Sequence, residues 1–213
     1  MPESPSRTAT VRALSVLATV AVLWVGLDQL TKHLVVTNMH ENERIPVIGD
    51  VLQFVFVRNP GAAFSLASGA TWIFSILATG VVVAIIVMAR RIRSVRWGLV
   101  FGLLLGGVFG NLLDRLFREP SFGLGHVVDF ISTPWMMPAI YNVADIGICV
   151  AMALFIVLTL LGVGLDGKRQ PKPDESAESA NAADDGAHDG VVADQRVEDG
   201  DSTPESPNPQ KGS

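Results

Sequence analysis

The 213-residue chain holds a single cysteine and only four histidines. One thiol excludes an intrachain disulfide and a cysteine-built zinc site. Cys149, set among Ile148, Val150 and Ala151, reads as a small buried apolar residue. His33, His40, His126 and His188 share no metal-ligand spacing, and HExxH, P-loop and GxGxxG patterns do not occur. Neither a metal nor an organic cofactor is therefore expected. The basic residues are dispersed and no RNA- or DNA-binding motif occurs, so no nucleic-acid partner is expected. Charge itself is missing from long stretches, with none from Trp72 to Ala89.

What is present falls into two parts. From Asp166 onward the chain carries twelve of its 21 acidic residues and five of its 16 basic ones, and this explains the net charge of −5. Residues 168–213 hold almost no bulky apolar side chains and read as a disordered acidic tail, unable to bury enough surface to offset the entropy of ordering. Before them lie four apolar segments, at about Ala13–Val36, Ala70–Ala89, Trp97–Phe117 and Ile140–Leu165. Each is long enough to cross a bilayer core, which takes ~20 residues. The first lacks a small-residue cleavage site and is read as a retained helix rather than a signal peptide. The organisation expected is a short leader (1–12), a four-helix membrane domain (13–167) and the tail (168–213).

Arginines and lysines orient the bundle. Arg7 and Arg12 precede the first segment, Arg90, Arg91, Arg93 and Arg96 fill the second-to-third link, and Lys168, Arg169 and Lys172 follow the fourth. All three regions lie on one side of an even-numbered bundle, so both termini are expected in the cytoplasm. The links at about 37–69 and 118–139 are then external. They are not polar spacers. Val51–Val57 is β-branched and aromatic and reads as a strand, ended by Asn59-Pro60-Gly61. Phe122, Val127, Val128, Phe130, Ile131 and Trp135 make the second link apolar enough to cover a groove or lie on the membrane surface.

The informative polar residues gather at one depth. Asp28 and Lys32 lie four apart near the outer end of the first segment, and Asn111, Asp114 and Arg115 near that of the third. Asn142 and Asp145 open the fourth, while Asn59 and Asp129 come from the outer links. An ionisable residue at membrane depth is costly and suggests function. Two carboxyls held together share one proton and can activate water. Plainer roles exist for each. Asp28–Lys32 could be an ion pair ending a helix, Arg115 could snorkel to headgroups, and Asn142 could be a helix cap. Asp129 and Asp145 could be buried carboxylates paired with Arg115 or Lys32. Gly102, Gly106, Gly107 and Gly110 read as a close-packing ridge.

Five blocks, in order and at fitting spacing, resemble the lipoprotein signal peptidase (signal peptidase II) family of bacterial aspartyl membrane proteases. They are Asp28-Gln29-Leu30-Thr31-Lys32, Asn59-Pro60-Gly61-Ala62-Ala63-Phe64, Gly106 through Arg115, Val128-Asp129-Phe130, and Tyr141-Asn142-Val143-Ala144-Asp145. The resemblance implies an all-α membrane protein of four transmembrane helices with a small extracytoplasmic β-sheet and a lid segment. It implies catalysis by Asp129 and Asp145, with Asn59, Asn111, Arg115 and Asn142 binding substrate or orienting the site. Asp28, Lys32 and Asp114 are expected to brace it. The implied reaction removes the signal peptide from diacylglyceryl-modified prolipoproteins, just before the lipidated cysteine, at the outer face of the cytoplasmic membrane. A monomer among membrane lipids is expected, with no cofactor. Three other readings compete: a small transporter or channel using the intramembrane charges, a serine peptidase using Ser65 or Ser68 with Lys32 as base, and an adaptor binding through its tail.

Overall fold

A computed structural model describes residues 7–61 and 71–169. Ser65, Ser68, the Ala62-Ala63-Phe64 part of the second block and the tail from residue 170 lie outside the described residues. Among the described residues are four helices, α1 (Arg7–Asn38), α2 (Thr71–Ala89), α3 (Val95–Phe117) and α4 (Val143–Leu160), with strands β1 (Arg44–Ile48) and β2 (Leu52–Asn59) between α1 and α2, and β3 (Val127–Ser132) and β4 (Ile140–Tyr141) between α3 and α4. Each helix is long and apolar enough to cross a membrane, as their four hydrophobic runs require.

Helix α3 is the central one. Within its most apolar stretch 56% of the residues are buried in the protein, against 17% in each of the other three helices. Glycines make this possible. A Cβ on Gly98 would meet the Ala13 carbonyl oxygen at 2.5 Å, one on Gly102 the Leu17 carbonyl at 2.9 Å, and one on Gly106 the Trp24 Cβ at 2.8 Å. These positions recur every four residues along the α1 contact, so the two backbones approach closely. Gly107 faces α4 instead, where its added Cβ would lie 2.5 Å from the Ala144 carbonyl. The expected glycine ridge thus serves two helices and extends back to Gly98. Beneath it Ala13, Leu17, Ile85, Ile92, Trp97, Val100, Phe101 and Leu158 form the core of the bundle.

The strands form one antiparallel sheet in the order β1-β2-β3-β4. It packs Phe56, Val128 and Phe130 against Val35 near the end of α1. The pairing places Val57 opposite Asp129 and Asn59 opposite Val127. Asn59 and Asp129 are therefore diagonal neighbours on one face, within side-chain reach.

Several boundaries differ from the sequence reading. Helix α1 starts at Arg7, inside the segment taken as a leader. Helix α4 is shorter than Ile140–Leu165: Ile140 and Tyr141 pair with β3, and Gly162 at φ +66° ends the last turn. Apolar character alone does not separate a strand from the helix that follows it. Cys149 is exposed rather than buried. In a membrane helix an apolar neighbourhood is met by lipid as well as by protein, so it does not imply packing.

Candidate active site

Asn142 is where the site is assembled. It is the N-cap of α4, with extended backbone and a side-chain oxygen that accepts from the Asp145 N–H at 3.0 Å. The Asp145 carboxylate answers by accepting from the Asn142 N–H at 3.1 Å. This reciprocal capping box satisfies N–H groups that the first helical turn leaves free. The Asn142 amide nitrogen remains, and it donates to Asp129 Oδ1 at 2.7 Å and to Asn111 Oδ1 at 3.1 Å. One fully buried asparagine therefore touches both Asp129 and Asp145. The helix cap offered as its plainer role is thus present, and the same side chain also reaches Asp129.

Each carboxyl has a second amide donor. Asn59 Nδ2 donates to Asp129 Oδ2 at 2.7 Å, and Asn111 Nδ2 donates to Asp145 Oδ1 at 2.8 Å. Asn59 also accepts from the Gly61 N–H at 2.8 Å, which aims its nitrogen at the carboxyl. Asp129 is 3% exposed, whereas Asp145 is half-buried. Burial pushes the Asp129 carboxyl up to about 6; the Asp145 carboxylate nearby pushes the same way, against the bonds from Asn59 and Asn142.

Below this pair lies a buried charge cluster. Lys32 Nζ meets Asp28 Oδ2 at 2.8 Å, Asp114 Oδ2 at 2.9 Å and Asn111 Oδ1 at 2.9 Å, so its three protons are all committed. Asp28 also accepts from the Ala144 N–H at 2.9 Å, which ties α1 to the first turn of α4. Asp114 takes Arg118 Nε at 2.5 Å and the Val128 N–H at 3.2 Å, which ties α3 to β3. No buried side-chain nitrogen or oxygen among the described residues lacks a partner. Such a network is rigid when complete and costly when broken.

This geometry separates the alternatives for the aspartates. Lys32 is spent on Asp28 and Asp114, and it reaches Asp145 only through Asn111. Arg115 forms no ion pair among the described residues; it lies over the Phe74 ring at 5.2 Å and toward the Pro60 carbonyl at 3.5 Å. Among the described residues neither Asp129 nor Asp145 is the acidic half of a salt bridge. Asp28–Lys32 is likewise more than a helix-ending pair, because it carries Asn111. Of Asn59, Asn111, Arg115 and Asn142, Arg115 alone has no bond to the acid pair among the described residues, while Asp28, Lys32 and Asp114 connect to it only through Asn111 and the backbone.

Sequence reasoning missed Gln29. Its amide nitrogen lies 3.2 Å from Asp28 Oδ2, 3.0 Å from the Gly110 carbonyl and 3.2 Å from Asp114 Oδ1, so it joins α1 to α3 beside the cluster. A neutral amide at a helix end gives little signal; its place between Asp28 and Lys32 was the only clue. A cleft of about 520 Å³ lies between α1, α2 and α3. Its lining, including Leu17, Val25, Val82 and Phe109, is apolar and offers no reactive group.

The sequence pattern of the family described as "Signal peptidase (SPase) II" matches residues 20–161, a range that contains every residue of this site. The chain belongs to the signal peptidase II family. It is 54% identical over 183 residues to a lipoprotein signal peptidase of Leifsonia xyli, covering 85% of this chain and 84% of that one. It is 44% identical over 183 residues to one of Mycolicibacterium smegmatis, covering 85% and 76% of the two chains. A bacterial membrane enzyme solved by the in meso method superposes with a TM-score of 0.62 at 27% identity, over 75% of this chain and 96% of that one. The chain is thus a multi-pass membrane peptidase of the signal peptidase II type.

Proposed function

We propose that the chain is an aspartyl endopeptidase that removes the signal peptide from diacylglyceryl-modified prolipoproteins, cutting just before the lipidated cysteine. The observation that carries this reading is the single buried asparagine that links Asp129 to Asp145 while no cation among the described residues pairs with either. Two carboxyls freed from salt bridges and held by amides are suited to sharing a proton.

Asp129, nearly fully buried and with its carboxyl raised by that burial, holds the shared proton, and Asp145 acts as the base. Asp145 takes a proton from a water as its oxygen bonds to the scissile carbonyl carbon. Asp129 donates to the carbonyl oxygen, giving a gem-diol. On collapse the proton on Asp145 passes to the leaving nitrogen, the C–N bond breaks and Asp129 regains its proton. Asn59, Asn111 and Asn142 keep the acids oriented throughout. Arg115, close to Pro60 and Phe74, is placed to hold substrate backbone.

The charges at the ends of the bundle support a location. Arg7, Arg12, Arg90, Arg91, Arg93, Arg96, Lys168 and Arg169 occur at one end, which the positive-inside rule assigns to the cytoplasm. Sheet and acid pair then face the outer leaflet of a bacterial cytoplasmic membrane. A signal peptide that crosses the bilayer as a helix presents its cleavage point there, beside its lipid. The chain acts as a monomer among membrane lipids.

Cleavage of a synthetic lipidated precursor, beside its unlipidated twin, tests the reading. Only the lipidated form is cut, at the bond before the cysteine, and Asp129→Asn and Asp145→Asn each lower the rate by about 10³-fold or more while still inserting. Near-normal cleavage by either variant removes the acid pair from the mechanism. Equal cleavage of the twin removes the lipid from the specificity.

A further inference from the structure

At the end of the bundle opposite the acid pair, roughly 24 Å along α3 from the level of Asn111, the chain builds a second polar feature. After Gly162 the backbone folds into a small hairpin, closed by the Val163–Arg169 bridge and by Gly164 N–H to the Lys168 carbonyl at 2.9 Å. This hairpin docks on the α2–α3 link: the Arg93 and Ser94 N–H groups both donate to the Leu165 carbonyl, at 3.0 and 3.1 Å. Between the two lies an open cleft of about 460 Å³ lined by Arg90, Arg91, Arg93, Gly164, Leu165 and Asp166. All three arginines are exposed, and neither they nor Arg96 form an ion pair among the described residues. Asp166, the acidic lining residue, already accepts from the Lys168 N–H at 3.0 Å. Ser94 caps α3 without a side-chain bond, so the positive end of that helix adds to the field.

We propose that this cleft binds the phosphate of an anionic phospholipid. Arginine forks match phosphate oxygens in pairs. The lipid, rather than a free anion, is favoured by what surrounds the charges: Val87, Met88, Val95, Leu99 and Leu161 are large, apolar and exposed beside them. A phosphate seated among the arginines places its acyl chains along these side chains. The inference stands apart from the peptidase reading, since no residue of the acid pair is involved.

The test titrates short-chain phosphatidylglycerol into the detergent-purified full chain, beside short-chain phosphatidylcholine and inorganic phosphate, and reads the unfolding midpoint. Phosphatidylglycerol raises it at concentrations about tenfold lower than phosphatidylcholine, less so in high salt. The Arg90→Gln/Arg91→Gln/Arg93→Gln variant loses that preference. The corresponding triple lysine variant folds with its charge intact and keeps only part of it, because an ammonium cannot form the fork. Equal response to the two lipids overturns the proposal, as does a preference that survives in the glutamine variant. So does inorganic phosphate acting as strongly as the lipid, which would mark a simple anion site. A midpoint lowered by the glutamine changes in lipid-free detergent, with no lipid preference in the parent, would assign the cleft to the chain's own acidic residues.

Discussion

At the sheet end of the bundle Lys32 is wholly buried, with a partner for each proton; at the other end Arg90, Arg91, Arg93 and Arg96 are exposed and unpaired among the described residues. Both regions are basic side chains next to apolar helices, yet their energetics differ in kind. A buried cation is tolerable only because three polar partners replace its water. The exposed arginines keep their water and need no partner to be stable. Charge at the sheet end therefore holds helices in place, and charge at the opposite end is free to meet something else.

Four changes sharpen that contrast. Lys32→Met leaves Asp28 and Asp114 buried without their shared cation, and thermal unfolding in detergent should show a loss of about 3–5 kcal/mol. Next is pH. Between the unfolded value of 3.8 and the folded value of about 6, the unfolded chain releases the Asp129 proton while the folded chain keeps it. Stability accordingly falls as pH rises through that window, by on the order of 3 kcal/mol, and levels off above it. Asp129→Asn should flatten this part of the stability curve. Gly98→Ala drives a methyl to 2.5 Å from the Ala13 carbonyl and should cost about 1–3 kcal/mol, whereas Gly26→Ala meets nothing within 4 Å and should gain about 0.5–1 kcal/mol. Smallest of all, Arg91→Gln in zwitterionic detergent should stay within about 0.5 kcal/mol of the parent. An Arg91 effect as large as that of Lys32 would mean the two ends are not different after all.

The residues of the candidate site were legible because a charged or amide side chain inside an apolar run is conspicuous. Asp28, Lys32, Asn111, Asp114, Asp129, Asn142 and Asp145 all stand out this way, and all fall in one bonded network. The helices were legible for the same reason in reverse, since apolar runs of spanning length have few other uses. Partnership was not legible. Nothing in the spacing distinguished Lys32 bound to Asp114 from Lys32 bound to Asp129, because that choice depends on how α1 lies against α3. Strand β4 was hidden by its apolar residues, which continue smoothly into α4. Gln29, a neutral amide among charged neighbours at a helix end, raised no question, and Cys149 misled because its lipid-facing surroundings resemble a protein core.

Asp129 rides on strand β3 and Asp145 on helix α4, with Asn142 joining them at the seam. The proposed chemistry thus belongs to neither structural layer alone. It exists only while sheet and bundle are docked, and a sheet that lifts by even a bond length disarms the pair. Any motion that parted strand β3 from helix α4 would therefore separate the two carboxyls without altering either one.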